Sequence, residues 1–513
     1  MTLLRLNELH RDLYSDKNFP GEWLYEMPWF SILICRLGYV SRSKFESRFE
    51  GQKNMGGVLL KERFFKFNIL IIVLVLLSGC ASYGVIENEP LNQNASHQSY
   101  SLKKVKNDDS EVKIVLAFSG GGTRAAALAY GVMEALHEIS VSEGQESPRS
   151  LLDEVQVITS VSGGSFTSAY YGLYGERIFE DFKTDFLLRD IDSEIIFNAL
   201  NPFFWFGSEG RTELAVDIYE KYMFHGKTFA DMNRPGAPLI IINATDLGNG
   251  IRFSFLQEYF DLLCSDLSTF PVARAVAASS AVPVLFNPVV VETFPENCKP
   301  NDPAFLEILK FRDRADDQVL EALKELQVYI DKKAETQFIH FVDGGITDNL
   351  GLRAGLEIIE AIGGINATRR VLKGKPARQI MVISVDASTK SVENMNDESI
   401  QPSVADVISV ATDVQLQLYN RATFDLMETS LRKWAKESSS LERTATSYFV
   451  KIQFKSLQKR RSDIPRFLNI NKIPTNFSLT EEQVEKLIQT GRELLLENPE
   501  FRRFMADRAD KVS

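Results

Sequence analysis

An α/β fold, with a mostly parallel central sheet and helices on both faces, is predicted by three observations. From Val112 onward short apolar runs alternate with helix-period segments, as in repeated strand–helix–strand units. The hydrophobic fraction of 44% and charged fraction of 25% are those of a chain able to bury a large core. No self-similarity at a period of about 20–50 residues is apparent, which argues against a solenoid.

The elements follow in order. Residues 1–54 precede a stretch with the layout of a signal peptide: positive charge at Lys61-Glu62-Arg63-Phe64-Phe65-Lys66, an apolar run from Ile69 to Leu77, then Ser78-Gly79-Cys80. A spanning helix needs about 20 apolar residues, so this run suits a signal core better than a membrane span. A signal belongs near the start of its chain, so Met55 is the expected start and 1–54 an upstream extension. The signal then covers 55–79. Residues 80–110 are polar and read as a tether.

A globular domain is expected over 111–456. Its strands are Ile114–Phe118, Val155–Val161, Pro238–Ala244, Phe338–Val342 and Ile380–Val385, most of them followed by a helix. The first helix carries Leu128, Val132, Leu136 and Ile139 at helical spacing, one stripe to bury on the sheet. Residues 302–335 are highly charged with leucines interleaved, an amphipathic helical insertion that is either a solvated surface helix or a lid. A helical extension fills 457–513, where Thr480-Glu481-Glu482-Gln483 reads as a capping box with Val484, Leu487 and Ile488 facing inward.

Net charge is −11 and no dense Lys/Arg block occurs, so nucleic acid is not an expected partner. None of the four cysteines, Cys35, Cys80, Cys264 and Cys298, has the C-x-x-C spacing of a structural zinc site, and no metal or cofactor is expected. In an oxidising compartment Cys264 and Cys298 are the two left to pair; otherwise they are inert buried thiols.

Three motifs carry chemistry. Ser119-Gly120-Gly121-Gly122-Thr123-Arg124 falls between a strand and a helix, where unobstructed amides and the helix dipole can hold an anion, either a phosphate or the oxyanion of acyl transfer. The Walker and dinucleotide spacings are both missing. Ser160-Val161-Ser162-Gly163-Gly164-Ser165 lies at the next such junction. A nucleophile elbow needs small residues two before and two after the serine, and Ser162 alone has both, although Ser160 replaces the usual glycine. Ser160 and Ser165 are the alternatives. Asp343-Gly344-Gly345 ends a later strand, at the edge where α/β sheets place their sites; by itself it is a common turn.

Serine needs a base, usually histidine. None of His10, His97, His137, His225 and His340 is well placed. His10 precedes the signal, His97 is in the tether, His137 is in a helix and His225 in a loop. Strand alternation puts His340 on the face opposite Asp343.

In this order, Gly120-Gly121-Gly122-Thr123-Arg124, Ser162 and Asp343-Gly344-Gly345 resemble the patatin-like phospholipase family, with further likeness at Ala244-Thr245-Asp246-Leu247 and Ala277-Ala278-Ser279-Ser280-Ala281-Val282-Pro283. The likeness covers roughly Lys113 to Asp386. It implies a patatin-like three-layer fold and a Ser-Asp dyad without histidine. Ser162 becomes the acylated nucleophile, Asp343 its base, and Gly120, Gly121, Gly122 and Arg124 the oxyanion hole. The family's usual Asp before the glycines is Ser119 here, which resembles the calcium-regulated cytosolic phospholipases of animals. The implied substrate is a membrane phospholipid or lysolipid; a silent lipid- or partner-binding protein of the same fold is the alternative.

Leu77-Ser78-Gly79-Cys80 resembles the lipobox of bacterial lipoproteins, which implies lipidation of Cys80 and a place at the cell envelope. Ala81 after it resembles, in a Gram-negative cell, the outer-membrane sorting pattern. Pro202-Phe203-Phe204-Trp205-Phe206 is either an interfacial anchor or core.

Overall fold

The computed structural model describes residues 84–92, 99–105, 110–141, 149–199, 210–283, 285–298, 321, 324–389, 404–440 and 443–509. The chain divides into Met1–Cys80, which lies outside the described residues, and Ala81–Ser513. The signal segment, Cys80 and the aromatic cluster at 202–206 therefore lie outside the description, as does most of the charged insertion.

A sheet of eight strands organises the second unit. Strands β2 (Val112–Phe118), β3 (Val155–Val161), β4 (Leu239–Asp246), β9 (Gln379–Asp386) and β10 (Thr446–Gln453) run parallel, in the order β10-β9-β2-β3-β4. Every residue of β4 and β9 is buried, which requires cover on both faces of the sheet. Beyond β4 the direction reverses. Strand β8 (Phe338–Asp343) pairs antiparallel with β4, β7 (Val289–Glu292) antiparallel with β8, and β5 (Ile251–Ser254) antiparallel with β4. A minor ribbon pairs β1 (Glu89–Pro90) with β6 (Ser265–Asp266).

The reversal bears on the site. Val161, the last residue of β3, is level with Asn243 of β4, and β4 continues through Thr245 and Asp246. Strand β8 meets β4 only at that end, from Asp246 back to Ala244, and stops with Asp343 opposite Ala244. A strand of opposite direction thus ends at the carboxyl edge of the parallel ones.

Helix α1 (Gly122–Glu138) buries Leu128, Val132 and Leu136 completely. It packs against α2 (Gly163–Tyr174) and against α10 (Glu481–Leu496). The α1–α10 crossing is close because each helix offers a glycine: a Cβ on Gly131 would meet the Ile488 carbonyl oxygen at 2.1 Å, and one on Gly491 that of Leu128 at 2.5 Å. The helical carboxyl-terminal segment therefore packs directly on the sheet's helical cover. Thr480 forms the expected capping box with Gln483, and Val484, Leu487 and Ile488 point inward. Among the described residues the other α-helices longer than one turn are α3 (Ile191–Ala199), α4 (Arg211–Tyr219), α5 (Val272–Ser280), α6 (Leu352–Ala361), α7 (Ile365–Val371), α8 (Val404–Ser438), α9 (Ile464–Asn471) and α11 (Pro499–Ala509).

Two sequence expectations need correction. The described parts of 80–110 are docked. Tyr100 is 1% exposed and its hydroxyl donates to the Ile240 carbonyl at 3.1 Å. Asn88 bonds Ser265 and Glu292, Glu87 pairs with Arg274, and β1 joins a ribbon. A few anchoring side chains outweigh the polar composition from which a tether was inferred. The described end of the insertion is likewise not wholly solvated. Tyr329 is buried and donates to Asp246 Oδ2 at 2.8 Å. Cys264 and Cys298 form a disulfide.

Candidate active site

Two loops and a strand end converge at the carboxyl edge of the sheet. The first loop follows β2. Ser119 is fixed at both ends: its amide donates to the Val385 carbonyl at 3.0 Å, and its hydroxyl accepts from the Ala387 amide at 2.9 Å and donates to the Gly120 carbonyl at 3.0 Å. The amide of Gly120 donates to the Asn349 carbonyl at 3.0 Å, and that of Thr123 to the Asn476 carbonyl at 2.9 Å. Between them Gly121 and Gly122 adopt φ of 136° and 58°, a left-handed passage suited to glycine. Their amides have no acceptor among the described residues. The oxyanion set inferred from the sequence narrows accordingly: the Gly120 amide is already engaged, which leaves Gly121 and Gly122.

Arg124 spends two of its donors on backbone carbonyls. Its Nε donates to the Ala387 carbonyl at 3.0 Å and its Nη1 to that of Ile473 at 2.7 Å. Burial lowers its pKa to about 10, with Asp386 and Asp413 opposing the shift, so it stays charged at neutral pH. It ties the loop to the end of β9 and to the carboxyl-terminal segment.

The second loop follows β3. Ser162 sits between Val161 and α2 with φ 49° and ψ −123°, a conformation rarely held by a residue with a Cβ. The flanking glycines permit the turn. A Cβ on Gly163 would lie 2.0 Å from the Gly122 carbonyl oxygen, and one on Gly164 2.7 Å from Phe118 Cβ. At the leading position a serine suffices, because the Ser160 hydroxyl turns away to bond Ser168 Oγ at 2.6 Å. Ser165 is likewise engaged, with Ser279 at 3.0 Å. Neither competes for the nucleophile's place.

Ser279, on α5, lies in a run that the sequence marked by likeness but to which it gave no role. Its Oγ accepts the Ser162 amide at 2.8 Å and donates to the Asn243 carbonyl at 2.6 Å. Its own carbonyl accepts the Gly344 amide at 3.1 Å, and that of Ala281 accepts the Asp343 amide at 3.0 Å. The end of α5 therefore positions both the elbow and the Asp-Gly-Gly turn. Asn349 instead fixes the glycine loop, its carbonyl accepting from Gly120 and its side-chain amide donating to Ser388 Oγ at 3.3 Å.

Asp343 completes the site. Its carboxylate Oδ1 accepts the Gly345 amide at 2.7 Å. Burial raises its pKa to about 6, opposed by that amide and by the Ser162 hydroxyl, both of which favour the charged form. Gly344 is required by contact, since a Cβ there would meet the Asn243 carbonyl oxygen at 2.4 Å.

Among the described residues no histidine serves Ser162 or Asp343. His137 stacks on Phe179 at 4.5 Å, His225 is exposed in a left-handed turn, and His340 is exposed on β8. Nor does any His/Cys/Asp/Glu cluster among them have the makings of a metal site.

The contact of Gly163 with Gly122 yields a prediction. In Gly163→Ala the methyl drives the glycine loop out of place while Ser162 and Asp343 remain. The expected result is a fall in kcat of about 10²–10³, the usual effect of losing an oxyanion donor, with KM little changed. Steady-state kinetics on a soluble ester measures it, and an unaltered kcat would show that the loop is not used.

Residues 116–356 match the sequence model of the patatin-like phospholipase family. That span includes Gly120–Gly122, Ser162 and Asp343. No match was found among curated proteins. Among solved structures, human GIVD cytosolic phospholipase A2 is 12% identical with a TM-score of 0.39, over 77% of this chain and 62% of that one. Its complex with methyl gamma-linolenyl fluorophosphonate is also 12% identical, with a TM-score of 0.35, over 80% and 67%. The chain thus spans about three fifths of the length of the first.

Proposed function

We propose, from the match of residues 116–356 to the patatin-like phospholipase model, that the chain is a serine acyl hydrolase cleaving acyl esters of membrane phospholipids or lysolipids through Ser162 and Asp343. The observation that carries this reading is a serine held in a strained turn beside a carboxylate of raised pKa, next to a loop with two amides that have no acceptor among the described residues.

In the proposed reaction Asp343 takes the Ser162 proton as Oγ bonds to the ester carbonyl carbon. The amides of Gly121 and Gly122 receive the oxyanion. Collapse breaks the bond to the glycerol oxygen, which leaves with the proton from Asp343. Water then attacks the acyl-enzyme and gives its proton to Asp343. The fatty acid departs, and Ser162 regains its hydrogen. Lipidation of Cys80 would hold the domain at a bilayer of the cell envelope, the outer membrane in a Gram-negative cell.

Labelling with a fluorophosphonate tests the chemistry. A stable adduct is expected on the intact chain and none on Ser162→Ala. Absence of an adduct on the intact chain would favour a silent lipid-binding protein and overturn the hydrolase.

A further inference from the structure

One face of the molecule takes no part in the site yet stands beside it. Strand β10 ends at Gln453, level with Asp386 at the end of β9. This is the carboxyl edge that also carries Ser162. The chain leaves the edge there, forms a 3₁₀ segment (Phe454–Lys459) and α9, and returns where Ile473 and Asn476 accept bonds from Arg124 and Thr123 of the glycine loop. Both ends of this excursion are therefore fixed at the catalytic edge.

Its surface combines two kinds of residue. Helix α9 buries Phe467 and Ile470, which satisfies its inner side, yet Ile464 and Leu468 are 40% and 47% exposed one turn apart. Around them the sequence is basic: Lys455, Lys459, Arg460, Arg461, Arg466 and Lys472 stand against Asp463 alone, in a chain of net charge −11. Arg460 and Arg466 are balanced by Glu497 and Glu493. Lys459, Arg461 and Lys472 are exposed and pair with no carboxylate among the described residues. Paired outward aliphatics beside unbalanced cations suit a surface that is apolar inside and negative outside. An acidic protein would use the cations and leave the aliphatics in water.

We propose that residues 454–472 dock the catalytic edge on an anionic lipid bilayer, with Ile464 and Leu468 entering the interface and Lys459, Arg461 and Lys472 lying over its negative headgroups. This assigns a surface to the lipid reading above and rests on it. Each such cation contributes on the order of fivefold in membrane affinity, so the three together contribute on the order of 100-fold.

The test uses the full chain with Cys80→Ser, so that no attached lipid contributes, and non-hydrolysable dialkyl-ether vesicles. Binding to phosphatidylcholine vesicles containing phosphatidylglycerol is expected to exceed binding to phosphatidylcholine alone by 10-fold or more, and to weaken in 0.5 M salt. The triple variant Lys459→Glu, Arg461→Glu, Lys472→Glu should lose that preference. Ile464→Ser with Leu468→Ser should weaken binding to both vesicles. All variants should keep full activity on a soluble short-chain ester, which also certifies folding. Equal binding to both vesicles by the unaltered surface overturns the proposal, as does displacement of the chain from vesicles by an acidic polypeptide with the Ile464/Leu468 variant unaffected. Loss of soluble-ester activity in the parent chain would fault the hydrolase reading alone, because vesicle binding is read separately.

Discussion

Ser162→Ala is expected to lower kcat for ester hydrolysis by on the order of 10⁴–10⁶ with KM nearly unchanged, the pattern for removing a group that acts only in the chemical step. The fold should tolerate the change, because the Ser162 side chain contributes little to packing and its amide still donates to Ser279. A second substitution separates geometry from chemistry. The backbone at Ser162, φ 49° and ψ −123°, strains any residue with a Cβ by about 1–3 kcal/mol. Ser162→Gly should therefore be as inactive as Ser162→Ala but more stable, by about 1 kcal/mol after the greater flexibility of unfolded glycine is counted. Denaturant melts of the two variants give that difference. If Ser162→Ala retained substantial turnover, Ser160 or Ser165 would have to be the nucleophile. Their hydrogen bonds to Ser168 and Ser279 argue against it.

What the sequence disclosed, and what it withheld, divides along physical lines. Strand β3 was legible to the residue, and β2, β4, β8 and β9 to within two, because apolar runs bounded by glycine or polar residues mark buried strands. Strand direction left no such mark. Phe338–Val342 reads as one more mostly apolar run, and its direction is fixed only by its antiparallel pairing with the overhang of β4. Strand β10 was missed because Thr446–Gln453 mixes polar and apolar residues at the sheet margin.

In the site, the glycine loop, Ser162 and Asp343 announced themselves through residue type and spacing. Ser279 and Asn349 did not. Each engages the backbone of another loop, through a hydroxyl in one case and a carbonyl in the other. Many residues offer such an acceptor, so nothing in their identity pointed to the role. The docked segments 84–92 and 99–105 were misread for a related reason. Composition is an average, whereas Tyr100 and Asn88 hold those segments as individuals.

Asp343→Asn should abolish turnover and stabilise the protein above neutral pH. An amide cannot take the Ser162 proton, so kcat should fall by on the order of 10³–10⁴. Its oxygen can still accept from Gly345, so the turn persists. The stability effect follows from the sign of the pKa shift. Burial raises Asp343 to about 6 in the folded chain, whereas an unfolded aspartate titrates near 3.9. Across that window the folded state keeps a proton that the unfolded state has released. The group's contribution to stability is therefore complete below about pH 4 and is lost as pH rises through 6. At pH 8 the ionised carboxylate costs up to about 3 kcal/mol, a cost that Asp343→Asn removes.

Glu258, raised to about 7, and Asp348, raised to about 6, also titrate near this window, both through burial. The diagnostic quantity is thus the difference between wild type and variant from pH 4 to 8, measured by denaturant melts. It should grow with pH and level off above 7. The wild-type kcat should rise over the same interval, because the ionised form that destabilises the fold is the one that can act as base. A difference that is flat with pH, or a kcat that falls as pH rises through 6, would remove Asp343 from the mechanism. The site would then hold a carboxylate in its less stable form for no catalytic gain, an arrangement the surrounding hydrogen bonds give no other reason to maintain.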